Sequence, residues 1–529
     1  MQKFSSFLLL FSLLMGWILA CTPSKPFDIL IKNGMIYDGI GSVPVQGDIG
    51  IVGDQIVQIG DLSNARANTI IDAGGWAVAP GFIDLHAHLN AILDLSTCES
   101  HVRQGVTTAL GGPDGGSPWP LGDYLDTLSQ IGIGMNVAYL AGHNTIRSHV
   151  MGLDNRAPTL EELEGMQAMV ALAMEEGAFG ISTGLKYIPG AYSKVDEVIA
   201  LSQVAAEYGG FYTSHLREEG LGLLEGVQEA IDIGREANIP IVLTHHKAVG
   251  KPMWGASVKT LAMVDSARAA GQDVMIDQYP YTASHTGIRV VIPAWAMAGG
   301  QEAFLERLKD PVLTDSIRQG ILFNLLNDRG GGDLKRIQFA KVDWQPELEG
   351  KTMYDWCIAL DREPTLENGV ELVLRAQQNG GANCIYHVMQ EEDVERIMQH
   401  PQTMIASDGS LTKPGEGSPH PRSYGTFPRV IGHYARDKKV LTIAEAIYKM
   451  TGMPAQRMGL DNRGKIAENM MADLVIFNPE TILDKGTFTD PHQYPEGIEY
   501  VLVNGVFAVE RGEFTGKKGG KVLYGPRKK

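Results

Sequence analysis

Hydrophobic and polar positions change rhythm twice along this chain. From Phe27 to about Ala77, short apolar alternations are punctuated by glycine, in DILIKNGMIYDG, GDIGIVGDQIVQIG and NTIIDAGG. Period-two alternation between glycine turns predicts small antiparallel strands. The same texture returns near the far end, in ADLVIFNP and YVLVNGVFAVERGEF. The two ends therefore read as parts of one β-domain, with the middle of the chain inserted between them.

The middle alternates between two rhythms. Strand-like runs are FIDLHAH, VTTALGG, NVAYLAGH, FGISTGLKY, GFYTSHLR, IPIVLTHHK, DVMIDQYPY and TMIASDG. Between most of them lie helical patterns such as LEELEGMQAMVALAMEEGA and LLEGVQEAIDIGREAN, with apolar residues at helical spacing. Strands alternating with helices imply parallel βαβ units. Eight such strands predict an α/β fold built on a (β/α)8 TIM barrel. A doubly wound sheet is the alternative, but it does not bring all its strand ends round one mouth. The expected layout is a leader over 1–21, a small β-sandwich domain from 22–78 and 466–529, and a barrel over 79–465.

The leader MQKFSSFLLLFSLLMGWILAC has one lysine, an apolar run and then Ile18-Leu19-Ala20-Cys21. That is the shape of a secretory signal peptide. Its end resembles a bacterial lipobox, in which Cys21 is lipidated and becomes the new N-terminus. Thr22 follows rather than Asp, which in that pattern points to the outer membrane. The expectation is a cell-envelope protein that meets the membrane only through this anchor. The 529 residues carry a formal charge of −17, which argues against a nucleic-acid surface. Cys98, Cys357 and Cys384 are scattered, forming neither a disulfide framework nor a CxxC metal site.

Candidate chemistry sits at the strand ends, where a barrel of this kind carries its active site. In GFIDLHAHL, His86 and His88 stand two apart and project to one face of a strand. Paired neutral imidazoles suit zinc, although two histidines at a strand end also serve as plain hydrogen-bonding groups. Lys186, His215, His245 and Asp408 occupy the ends of other strands. His215 shares a face with Thr213 and Arg217, and of adjacent His245 and His246 at most one points inward. Histidines and an aspartate on separate strands of one barrel together predict a metal centre.

The motifs GFIDLHAH, RQGVTTALGG, GHNTIRSHVMG, GAFGISTGLKYIPG, TSHLREE, THHK, DQYPYTAS, IASDG, HPRSYGTFPRV and ADLVIFNP follow one another in the order found in one known family. In this respect the chain resembles the amidohydrolase superfamily, and within it the D-aminoacylase (N-acyl-D-amino-acid deacylase) family. The resemblance implies that His245 and Lys247 match a histidine–lysine pair of the sixth strand. It implies that Arg422 holds the substrate carboxylate and that Tyr187 and Lys247 orient the substrate; His285 is a further candidate for the pocket lining. Asp408 is implied as metal ligand and proton carrier.

In one place the chain departs from the family. D-aminoacylases keep a metal-contacting cysteine after the second strand, and here the turn is GGPDGG, with Asp114 at that point. Related amidohydrolases, such as isoaspartyl dipeptidase and dihydroorotase, instead use a carboxylated lysine after the fourth strand. Lys186 is therefore expected as a carbamate that bridges two metals, with Asp114 as its rival; the cofactor is one or two divalent ions, zinc foremost. The expected ligand set is His86, His88, Lys186, His215, His245 and Asp408. The implied reaction is metal-dependent hydrolysis of N-acyl-D-amino acids, small molecules bearing a free carboxylate. Two other readings are a dipeptidase for dipeptides ending in a D-residue, and a non-catalytic protein on the same fold.

Overall fold

The computed structural model describes residues 26–526 of the chain. Cys21 and the rest of the leader lie outside the described residues. The fold is mixed α/β. Parallel strands Phe82–Asp84, Val106–Gly111 and Asn136–Tyr139 pair in that order. Phe179 N then donates to Tyr139 O, at 2.9 Å, and leads into Gly180–Gly184. Strands Phe211–His215, Ile241–Leu243, Val274–Gln278 and Thr403–Ile405 follow, each parallel to the last. The ring closes where Gly409–Ser410 pairs with Ala87–His88 and Asp408 N donates to His86 O at 2.8 Å.

Alternation sorts the strand residues into two layers. Ile83, Leu110, Ala138, Phe211, Val242, Met275 and Met404 belong to one buried cluster, which Phe179 joins from just before the fourth strand. Their neighbours Tyr212, Ile241, Leu243, Ile276 and Ile405 pack in a different cluster with the surrounding helices. This is the period-two pattern of strands covered on both faces, which explains why they read as continuous apolar runs. The helices that cover them have clear end signals. Leu160–Glu176 opens with a capping box between Thr159 and Glu162 and stops at Gly177, whose φ of 115° few other residues adopt.

Both chain ends feed one nine-stranded sheet, not two separately paired sheets. Ala77–Pro80 and Leu474–Phe477 are antiparallel neighbours at its centre, so the two ends join directly. This sheet is tied to the ring by a buried polar network. Asp473 pairs with Arg463 and accepts from Asn136 Nδ2 at 3.2 Å, and Asn504 Nδ2 donates to Asn136 Oδ1 at 2.7 Å.

One element has no counterpart in the hydrophobic pattern. Between the seventh and eighth ring strands the chain makes a long excursion. It contains an antiparallel three-stranded sheet, Ser284–Gly287, Asn383–Tyr386 and Ile337–Lys341. Helices Pro311–Asn327 and Leu366–Gln378 pack beside it around a core of their own that includes Ile321, Leu325, Trp356 and Leu372. This excursion walls one side of the cavity described next.

Candidate metal centre

The C-terminal ends of the ring strands converge on Asp114. Its Oδ1 lies 3.5 Å from His86 Nε2 and 3.3 Å from His245 Nε2. Its Oδ2 lies 3.7 Å from both His88 Nε2 and His215 Nδ1. Asp408 Oδ1 is 3.1 Å from His88 Nε2 and 3.6 Å from His86 Nε2. These side chains form two compact donor groups that share one carboxylate. One is His86, His88, Asp114 and Asp408; the other is Asp114, His215 and His245.

Local backbone explains how the donors come together. His215 and Asp408 follow the alternation of their strands, in register with inward-facing Phe211 and Met404. His86 does not: the strand bends at Leu85 and His86, which turns the imidazole inward. His245 lies in a turn with φ of 36°, and Asp114 and Asp408 have φ of 52° and 49°. Left-handed backbone at non-glycine residues carries strain, which here accompanies inward-turned donors.

Several of the donor atoms have no hydrogen-bond partner among the described residues. Among the described residues, both nitrogens of His86 and His215, His245 Nε2 and Asp114 Oδ1 are buried without a hydrogen bond. Buried polar atoms are normally satisfied, and so many orphans in one place call for an ion. Neutral imidazoles with carboxylates are the donor set of zinc and similar divalent metals. The residues present therefore fit the metal that the sequence implied. Burial and Lys247 push His245 down, but Asp114 and Glu219 outweigh them and raise it to about 10. Burial opposes ionisation of Asp114 and Asp408, yet His86 and His245 hold Asp114 well below the usual carboxylate range, and Arg422 and His88 do the same for Asp408.

A second layer orients the donors. Glu219 is buried, accepts from Lys247 and from Arg329 Nη2 at 2.9 Å, and lies 3.3 Å from His245 Nδ1. Asp277 Oδ1 accepts from His245 N at 2.6 Å. Asp84 accepts from Ser407 N and His86 N, bridging the first and eighth strand ends. Such partners fix ring orientation and ligand basicity.

Above the donors opens a cavity of about 830 Å3. Tyr187, Lys247, His285 and Arg422 all line it. The Tyr187 ring lies 4.4 Å from that of His215, held there by Asn144, whose Nδ2 donates to the carbonyls of Gly184 and Tyr187. Arg422 Nη1 is 2.9 Å from Asp408 Oδ2, and its guanidinium stacks 4.7 Å over Tyr279. Glu219, Asp277, Tyr279 and Arg329 were not singled out from the sequence. Glu219 is the fourth residue after His215 in HLREE, which was the available signal.

Lys186 corrects an expectation. Its strand ends at Gly184, and Tyr187 N bonds back to Gly184 O, so Lys186 sits in a turn where strand alternation no longer applies. Its Nζ donates to Glu218 at 2.8 Å and lies 3.4 Å from Asp328, and it lines a neighbouring cavity instead. Its Nζ therefore points away from the donor groups around Asp114. Asp114, the rival, occupies the shared position.

Comparison with known proteins places the chain among amidohydrolases. An amidohydrolase family model matches residues 69–305 and 365–509. D-aminoacylase of Alcaligenes xylosoxydans xylosoxydans is 36% identical over 524 residues, covering 94% of this chain and 98% of that protein. The crystal structure of N-acyl-D-glutamate deacylase from Bordetella bronchiseptica, complexed with zinc and a phosphonate mimic of the tetrahedral intermediate, superposes with a TM-score of 0.81 at 32% identity. It covers 94% of this chain and all of the other. A D-aminoacylase structure with a binuclear metal centre gives 0.80 at 34%, over the same shares of both chains.

Proposed function

This chain belongs to the amidohydrolase family, and from that premise we propose that it hydrolyses the amide bond of N-acyl-D-amino acids in a metal-dependent reaction. The products are a carboxylate and a D-amino acid. The observation that carries the reading is the pair of donor groups sharing Asp114, beneath a cavity that Arg422 also lines. In this reading the ring is a (β/α)8 barrel, and the nine-stranded sheet is the β-domain of both chain ends.

His86, His88, Asp114 and Asp408 would hold one divalent ion, and Asp114, His215 and His245 a second. A bound zinc ion polarises an amide carbonyl and acidifies a water near neutral pH. Asp408, ionised despite its burial, accepts the proton of the attacking water at Oδ1 and passes it to the leaving nitrogen. Arg422 offers a planar fork to the substrate carboxylate; its Nη1 pairs with Asp408 Oδ2 at 2.9 Å, so it also ties the carboxylate subsite to the proton carrier. Lys247, bonded to Glu219 and 2.8 Å from His245 Nδ1, fixes that imidazole's orientation while facing the cavity. Tyr187 and His285 shape the wall.

The test is a mass-spectrometric screen of the leader-free, zinc-loaded enzyme with N-acetyl-D- and N-acetyl-L-amino acids, their amides and dipeptides. Turnover should need a free carboxylate and favour the D-residue. A preference for L, or equal turnover of amidated substrates, removes the reading. The dipeptidase reading drew on Lys186 and loses that support. For the leader, we propose that lipidated Cys21 anchors the enzyme at the outer membrane. Cys21→Ser should then free the protein from the membrane fraction, and an unmodified mature N-terminus elsewhere refutes the anchor.

A further inference from the structure

The cavity carries more positive charge than one substrate carboxylate needs. Lys247, Arg289, Arg329, Lys341 and Arg422 line it. Once Asp114 and Asp408 are committed to cations, only Glu219 and Asp343 remain among the lining carboxylates. Of the five cations, Arg329 stands out. It is 1% exposed, yet it lines the cavity. Its Nη2 is used by Glu219, while Nε and Nη1 have no hydrogen-bond partner among the described residues. Asp328 Oδ1 lies 3.8 Å from Nε, too far for a hydrogen bond.

The chain places this guanidinium deliberately. Arg329 follows the helix Pro311–Asn327, and its own N–H closes back on Asn324 O at 3.1 Å. Gly330 comes next, where a Cβ would sit 2.4 Å from Leu325 O, so only glycine lets the chain turn there. The whole segment lies within 306–364, which the family model leaves unmatched.

A buried guanidinium edge without an acceptor is unfavourable unless a ligand completes it. A carboxylate does so along one edge, taking Nε or Nη1 together with the second N–H of Nη2, whose first serves Glu219. Arg422 lies on the Asp408 side of the centre, whereas Arg329 lies on the side of Glu219, which neighbours His215 and His245. We propose that Arg329 forms a second anion subsite and selects N-acyl-D-amino acids that carry a second carboxylate. This rests on the deacylase reading above. The second carboxylate belongs either to the amino-acid side chain or to the acyl group.

Steady-state kinetics on the zinc-loaded enzyme test this. N-acetyl-D-glutamate and N-glutaryl-D-alanine carry the second carboxylate on opposite sides of the scissile amide, and N-acetyl-D-methionine lacks it. Wild type should prefer at least one of the dianionic substrates. Arg329→Gln should lower that preference in kcat/KM by about 10–100-fold, chiefly through KM, as expected for a lost charged hydrogen-bond pair. The substrate that responds identifies the source of the anion. Arg329→Lys should restore part of the preference, and it guards against a folding defect in the glutamine variant. An equal loss on all three substrates means that Arg329 only braces Glu219 and overturns the proposal, as does a wild-type preference for N-acetyl-D-methionine. An effect confined to Arg289→Met moves the subsite to the mouth and also overturns it. If wild type cleaves none of the three, the deacylase reading fails. Calorimetric titration of N-acetyl-D-glutamate and glutarate then decides the subsite alone: binding weakened 10–100-fold by Arg329→Gln supports it, and equal or absent binding refutes it.

Discussion

Replacing Asp114 by alanine should cost the protein one metal ion and leave the other. The carboxylate lies 3.3–3.7 Å from the imidazole nitrogens of His86, His88, His215 and His245, and it is the single member common to both donor groups. Without it, His86, His88 and Asp408 still supply three donors. His215 and His245 are left as two. Catalytic zinc sites are usually held by three protein ligands, so the first group remains adequate and the second does not. Loss of a mere outer-layer partner lowers metal affinity 10–100-fold. Loss of a direct anionic donor should exceed that, weakening the His215–His245 ion by more than about 100-fold, or about 2.7 kcal/mol. Equilibrium dialysis against buffered zinc, followed by elemental analysis, reads the outcome directly. Wild type should hold two ions per chain and Asp114→Ala one, with a correspondingly smaller zinc-induced rise in Tm. Asp114→Cys should recover the second ion, because a thiolate is also an anionic donor. Lys186→Ala should keep both. The reasoning is refuted if Asp114→Ala retains two ions while Lys186→Ala loses one.

Three other outcomes follow from the same geometry. Zinc binding should expel protons: His245, raised to about 10 by Asp114 and Glu219 against burial, is protonated at neutral pH and must be neutral to ligate. Apparent affinity should therefore rise about tenfold per pH unit for each proton released, and calorimetric heats independent of buffer ionisation enthalpy would contradict this. Asp408→Asn removes the proton carrier and should lower kcat by about 10²–10⁴-fold, with an unchanged kcat counting against the assigned role. Arg463→Ala leaves Asp473 buried without its partner between sheet and ring, and should destabilise the protein by about 3–5 kcal/mol; a urea midpoint equal to wild type would show that the network carries no load.

How far the sequence discloses this site depends on whether a residue lies within a regular strand. Alternation is informative for His215 and Asp408, which continue the inward register of Phe211 and Met404. Beyond a strand's last residue it is unreliable: Asp408 keeps the register of Met404, but His245 breaks that of Val242. His86 faces the centre because the chain bends at Leu85 and His86, and His245 because of its turn, so their side-chain directions follow from geometry that a periodic pattern does not encode. The excursion between Ser284 and Tyr386 pairs antiparallel within a parallel fold, and its strands are joined by long helical segments instead of hairpin turns, so it left no alternating signature. Glu219 and Arg329 meet across 110 residues, a contact that only the folded chain creates. Lys186 and Asp114 show the same limit from opposite sides. Both lie just past a strand end, in turns, and the resemblance to amidohydrolases with a carboxylated lysine favoured a residue able to become an anion over one that already is one. The surroundings reverse that preference. Glu218 and Asp328 hold the lysine away from the centre, whereas four imidazoles around Asp114 ask for an anion there. A carboxylate there supplies the bridging charge without CO2, and it leaves the turn after the fourth strand free to present Tyr187 to the cavity.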